Sequence, residues 1–319
     1  MIIASTLTDN LLTAPVIAFV IALLATLLKF DIRLPDSMYP ILSTYLLFAI
    51  GLKGGRSLAD STVAELWQPL LGAVAIGVAT PLVAFLAFRA IGRIDVTNAA
   101  ALAAHYGSVS AVTFTVVIAS LNARDMPYEG YVAGLLAVLE IIGIVVALFM
   151  ARKENNAADW KQGLGEVVRG RSIALLVAGL IVGVVVGGER LQPTDGLFVG
   201  LFTGALTLFL LEMGVLAAER LRDLRSAGLQ VIALGIVVPI VNGTIGAFVG
   251  KAAGLSTGGI AVLATLAASA SYIAAPAAVR IALPKASPGL YVTASLGVTF
   301  PFNLIVGIPL YIAIAEAIS

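Results

Sequence analysis

Hydrophobic and polar positions alternate along this chain on the scale of whole helices: long apolar runs are separated by thin polar seams. The runs cover residues 11–29, 38–53, 63–91, 97–122, 128–151, 170–188, 197–218, 226–252, 257–283 and 288–317. A helix rising about 1.5 Å per residue needs about 20 apolar residues to cross a hydrocarbon core about 30 Å thick. The pattern therefore predicts ten membrane-spanning helices. Pro35, Gly54, Gly55, Asn122, Pro127, Gly187, Gly188, Pro193 and Pro284 lie at the seams, where helices are expected to stop. Two runs are not uniform. Residues 100–114 carry a polar patch of Gly107, Ser108 and Ser110, and residues 267–276 carry Ser269 and Ser271 ahead of Pro276. Glycine, serine and proline free backbone hydrogen-bonding groups or offer substitutes for them, so both runs, the fourth and the ninth, predict helices broken within the membrane.

Composition strengthens the membrane reading. Apolar residues make up 60% of the 319, charged residues 12%, and mean hydropathy is +1.05, against roughly 45–50% apolar and 25% charged in soluble domains. The expected class is an all-α integral membrane protein with the lipid bilayer as its surroundings. A formal net charge of +1 offers no field for nucleic acid, and the absence of cysteine excludes disulfides, thiolate metal sites and cysteine nucleophiles. No cofactor is expected. Residues 1–10 carry no Lys or Arg ahead of the first apolar run, so no cleaved signal peptide is predicted. Basic residues collect in cytoplasmic loops. With the N-terminus outside, the cytoplasmic loops hold 14 of the 19 Lys and Arg, the exceptions being Lys53, Arg56, Arg124, Arg190 and Lys251. Both termini are thus expected on the extracytoplasmic side of the cell (inner) membrane.

The longest polar connector divides the chain into residues 1–152, a cytoplasmic linker at 153–169, and residues 170–319. Five spans per part would send the second part through the membrane upside down. Similarity between the parts is visible in order: Gly51 answers Gly214, Pro81 answers Pro239, and Tyr131 answers Tyr291. A 5+5 inverted repeat is expected, and in such transporters substrate and coupling ion bind near the midplane at interrupted helices. Small residues and serines also line close-packed helix interfaces, and one such stretch alone reads as packing. Two at equivalent positions read as a site. Half-helix N-termini there suit an anion and half-helix C-termini suit Na+. The hydroxyls of Ser108, Ser110, Thr113, Ser269 and Ser271 can serve an oxyanion or a hard cation.

Other polar residues within the runs have plainer readings. Glu140 costs roughly 2.5 kcal/mol or more if charged and lipid-facing at mid-membrane, so it is expected to face protein or a cavity, as a coupling-ion ligand or a structural hydrogen-bonding group. Glu212 reads as structural. His105, the only histidine, reads as a packing residue, Asn242 and Asn303 as donors to backbone freed by Pro239 and Pro301, and Trp67 and Trp160 as interface anchors. No Gly-x-Ser-x-Gly elbow, second histidine or metal cluster accompanies the serines, so a membrane-embedded hydrolase is the least favoured reading and no catalytic residue is expected.

Residues 50–55 (Ile-Gly-Leu-Lys-Gly-Gly), 106–110 (Tyr-Gly-Ser-Val-Ser) with Thr113, 238–243 (Val-Pro-Ile-Val-Asn-Gly), and 267–280 with Pro284 resemble the sodium-dependent bicarbonate transporters of cyanobacteria. The resemblance runs nearly end to end. It implies ten helices in two inverted five-helix repeats, crossing broken helices 4 and 9, a homotrimer, and a core domain that moves past a gate domain. It also implies sodium-coupled symport of bicarbonate or a similar small monoanion, with Na+ as coupling ion. Carried over by position, Tyr106, Gly107, Ser108, Ser110, Ser269, Ser271 and Tyr272 are expected at the anion, and Ser110, Thr113, Ser271 and Glu140 at sodium. The family pattern has three serines and an aspartate where this chain has Ser269, Ala270, Ser271 and Tyr272, and a serine where it has Val112. Tyr272 keeps open a proton- or sodium-coupled carrier of another small organic anion. The long cytoplasmic insertion of cyanobacterial members is short here, so their PII-like regulator is not expected as a partner.

Overall fold

A computed structural model of the chain describes residues 13–150, 162, 165–166, 168–222 and 228–319. Trp160, most of the 153–169 linker, and Arg152, Lys153, Lys161 and Arg225 of the orientation count lie outside the described residues, as does the segment expected to lack a signal peptide. Among the described residues every regular element is helical. We number them α1 (Ala14–Leu27), α2 (Met38–Ala59), α3 (Val63–Ile91), α4 (Val96–Gly107), α5 (Ala111–Asn122), α6 (Val132–Met150), α7 (Arg171–Val186), α8 (Phe202–Arg222), α9 (Leu229–Ala252), α10 (Thr257–Ala268), α11 (Ala274–Ala282) and α12 (Pro288–Ile318).

Among the described residues six stretches are long and apolar enough to cross a membrane: α3, α4 with α5, α6, α8, α9 and α12. After α7 the chain turns by 118° at Gly187, whose φ of 78° suits a residue without Cβ, into a short helix at Gly188–Leu191. Large apolar side chains such as Ile21, Leu71, Leu86, Ile181 and Phe248 are more than half exposed. In water such a surface would drive aggregation; in lipid it is the solvated surface.

Glycines set how closely the helices approach. α2 lies on α7 backbone to backbone, because Gly51 and Gly55 face Gly179 and Gly183, and a Cβ on Gly55 would overlap the Leu180 carbonyl. This is the small-xxx-small contact of membrane helices, where dispersion forces need near approach. α8 meets α1 in the same manner, through Gly214 against the Phe19 carbonyl and Ala22.

The runs at 97–122 and 257–283 are each two helices with a non-helical break. α4 and α10 are both 12 residues long. Asp95 caps the first by accepting from the Asn98 N–H, and Ser256 caps the second by accepting from the Gly259 N–H. Both end on a serine with extended backbone, Ser108 (ψ 153°) and Ser269 (ψ 163°). α12, which the apolar pattern presents as a plain helix, contains two π-helical segments, Thr293–Thr299 and Asn303–Gly307, on either side of Pro301. Such widened turns absorb a proline and re-aim side chains.

Candidate functional site

The two breaks meet in the protein interior. The Ser110 N–H donates to Ser269 Oγ (2.9 Å), and Ser269 Oγ donates onward to the Leu266 carbonyl (2.8 Å). Ser271 N–H donates to the His105 carbonyl (2.8 Å), and His105 Nδ1 lies 2.6 Å from the Ser271 carbonyl. A carbonyl only accepts, so Nδ1 carries the proton. His105 thus clasps Ser271 with one backbone and one side-chain hydrogen bond, while its ring stacks on Tyr291 (centroids 4.6 Å, planes at 29°). Nε2, buried, has no hydrogen-bond partner among the described residues.

These bonds account for carbonyls that a broken helix would leave unsatisfied in lipid. His105 and Leu266 carbonyls are taken as above, and Asn303 Nδ2 donates to the Ala268 carbonyl (2.9 Å) while Asn303 Oδ1 accepts from the Tyr311 hydroxyl (3.1 Å). Asn303 is therefore a backbone donor, at the end of α10 rather than at Pro301. Asn242 departs from the expectation: neither its Oδ1 nor its Nδ2 has a partner among the described residues.

α5 and α11 begin at the breaks, and their first turns are held by the same serines. Ser110 Oγ accepts from the Thr113 N–H (3.1 Å), and Ser271 Oγ accepts from the Ala275 N–H (3.3 Å). Each helix retains free N–H groups at its start, as the first turn of any helix does. One small cleft is lined by Val109, Ser110 and Ala111 from the first break and by Ser271, Tyr272 and Ile273 from the second, with Leu47 of α2, Glu140 of α6 and Ser172 of α7 closing it. Two positive helix ends, three serines and one glutamate thus line the same space.

Glu140 is 4% exposed, and its carboxyl meets no hydrogen-bond or ion-pair partner among the described residues. Its backbone sits so close to the first break because Gly143, one turn on, has no side chain: a Cβ there would overlap the Gly107 carbonyl.

The residues expected at the site are not all at the cleft. Ser110, Ser271, Tyr272 and Glu140 line it. Ser269 lies behind it, holding the Ser110 backbone. Thr113 is buried in the first turn of α5, bound through its N–H to Ser110. Ser108 is buried with its hydroxyl unpartnered among the described residues. Tyr106 points away: its hydroxyl bonds Thr299 Oγ1 (2.7 Å), which donates to the Gly235 carbonyl (2.7 Å), tying α4 to α12 and α9. Gly107 packs against the Pro81 ring. Val112 lines a neighbouring small cleft with Thr115, Leu46 and Phe209.

Leu47, Ser172 and the His105 clasp carry no sequence signal of their own. A lone histidine gives no pointer to a partner 166 residues away. Glu212 behaves as a structural group, its carboxylate accepting from the Leu34 N–H (2.9 Å) and lying 3.9 Å from Arg33 Nε. Trp67, near the start of α3, is 51% exposed. Among the described residues no three His, Cys, Asp or Glu side chains converge as a metal centre. The oxygen donors at the cleft are those a hard cation such as Na+ takes.

No curated protein matches the chain closely. A family model, that of the Na+-dependent bicarbonate transporter superfamily, matches residues 14–316, nearly the whole length and both helix breaks. With that match and a cleft built from two interrupted helices in an apolar helical body, the chain belongs to the Na+-dependent bicarbonate transporter superfamily.

Proposed function

We propose that this protein is a sodium-coupled symporter of bicarbonate or a similar small monoanion, working by an elevator-like exchange of access. The observation that carries the reading is the cleft, where the N-terminal ends of α5 and α11 converge with Ser110, Ser271 and Glu140. The helix ends and serine hydroxyls attract and hydrogen-bond an oxyanion. Glu140, with the hydroxyls of Ser110, Thr113 and Ser271, supplies oxygen for Na+. Tyr106, Gly107, Ser108 and Ser269 act from behind, keeping the two breaks open and in register.

The broader architecture in this reading is ten crossings, in two inverted five-helix halves at 1–152 and 170–319 joined by the 153–169 linker. Its support is the matched caps of α4 and α10 and the matched glycine contacts of α2 on α7 and α8 on α1. Packing of α3 on α4 is likewise repeated by α9 on α10. An elevator motion is supported by the grouping of helices. α1, α2, α7 and α8 pack chiefly on one another, as do α3–α6 with α9–α12. The cleft lies at the seam, with Leu47 and Ser172 on one side and the breaks on the other. A homotrimer, the inner membrane as location and extracytoplasmic termini complete the proposal, the last resting on 14 of 19 basic residues. Catalysis forms no part of it. Tyr272, at a position where the family pattern has an aspartate, favours as second reading a carrier of another small organic anion.

Uptake by the purified protein in liposomes tests the proposal. Labelled bicarbonate is expected to accumulate under an inward sodium gradient and not without one, and Ser110→Ala and Ser271→Ala to lower that accumulation. A parent protein with no sodium-stimulated accumulation would overturn the substrate assignment.

A further inference from the structure

Tyr272 lines two cavities at once. On one side is the cleft with Ser110, Ser271 and Glu140. On the other is a wider vestibule of about 450 Å³ bounded by Arg33, Tyr39, Glu212, Arg220 and Arg280. No other described residue lines both. The vestibule is wide and charged, whereas the cleft is small, and the Tyr272 side chain stands between them. It is held lightly. Its ring stands edge-on to Phe300 (centroids 5.1 Å, 64°), and its hydroxyl accepts from Ser110 Oγ at 3.4 Å, the long end of hydrogen-bonding range. Rotation of the ring would break these two contacts and shift its packing against the surrounding apolar core. The Tyr272 O–H proton, meanwhile, goes to no protein acceptor among the described residues. A phenol that accepts from the site serine and keeps its own proton is a donor in reserve at the edge of the cleft.

We propose that Tyr272 is the gate between vestibule and cleft, and that its O–H selects the ligand by donating to an oxygen of a small oxyanion. This rests on the transport reading above and adds to it a residue that closes the site and reads what enters. A carboxylate at this position would repel an anion at close range; a neutral donor binds it.

The chain has no cysteine, so Val109→Cys, at a cleft position that does not line the vestibule, reports access by its rate of modification. In the full-length protein in detergent, a small charged methanethiosulfonate should modify Val109→Cys slowly, because the rate follows the open fraction of the gate. Adding Tyr272→Ala should raise the rate about tenfold or more, whereas Tyr272→Phe, which keeps the ring and gives up only the long Ser110 bond, should raise it far less. Tyr272→Leu serves as a second truncation should the alanine variant not fold. Equal rates with and without the ring would overturn the gate. In liposomes, Tyr272→Phe should raise the KM for bicarbonate about tenfold, the loss of one hydrogen bond to a charged group, with Vmax nearly retained; an unchanged KM would overturn the selecting role. Modification needs no transport, so a parent protein that fails to carry bicarbonate leaves the gate test standing.

Discussion

Replacing His105 by alanine tests whether the two breaks are held together as described. The side chain is fully buried, bonds the Ser271 carbonyl at 2.6 Å and stacks on Tyr291 at 4.6 Å. His105→Ala leaves the backbone bond from Ser271 N–H to the His105 carbonyl intact. It removes the one hydrogen bond to the Ser271 carbonyl among the described residues, and a buried acceptor left unpaired costs about 1–3 kcal/mol. Loss of the ring contact adds about 0.5–1.5 kcal/mol, for a total of about 1.5–4.5 kcal/mol. His105→Asn brings an amide N–H near the former Nδ1 and should recover the larger part, leaving a loss of about 1 kcal/mol. Both follow from reversible unfolding in mixed micelles as the denaturing detergent fraction is raised. Equal losses in the alanine and asparagine variants would refute the hydrogen-bond account, and a loss below about 1 kcal/mol in the alanine variant would refute the clasp altogether.

Three further outcomes are expected. Gly143→Ala puts a Cβ into the Gly107 carbonyl; α6 must shift, costing about 1–3 kcal/mol of stability as an overpacked core does, and uptake should fall more than for Gly134→Ala, which only touches Leu58 at 3.6 Å. Glu140→Gln keeps the volume and removes the charge, so sodium stimulation of uptake should be lost while the folded yield is retained; unchanged sodium dependence would make Glu140 structural. At Asp95, burial pushes the carboxyl up, but hydrogen bonds from the Asn98 side chain and backbone outweigh it and hold the group below its usual range. A lowered folded value means the stability it gives is present above about pH 4 and is lost as pH falls below that. The unfolding curves of parent and Asp95→Asn should therefore converge at low pH, which paired measurements at neutral and acid pH would detect.

Membrane helices are legible in a sequence because lipid forbids unpaired backbone over a whole span, so apolar length alone reports them. The breaks at residues 108–110 and 269–273 were legible for the same reason: clusters of glycine, serine and proline inside an apolar run have few other uses, and two at matching positions point to one another. Packing residues were less legible. Gly143 looks like any membrane glycine until the Gly107 carbonyl is seen beside it, and the π-helical turns around Pro301 leave no periodic trace, because the few polar residues there, Thr293, Ser295, Thr299 and Asn303, are buried like their apolar neighbours.

By itself the sequence determined the class of the protein, an apolar helical body with two interrupted helices, and which residue types stand at the interruptions. Tertiary structure decided which of them share a space. Ser110, Ser271, Tyr272 and Glu140 line the cleft, whereas Tyr106 turns its hydroxyl toward Thr299 and Ser269 is spent on the Ser110 backbone. The reason is geometric. Hydropathy and spacing act along one chain segment, but a hydrogen bond is made within about 3 Å in space, and the approach of the two breaks is set by helix packing across the whole molecule.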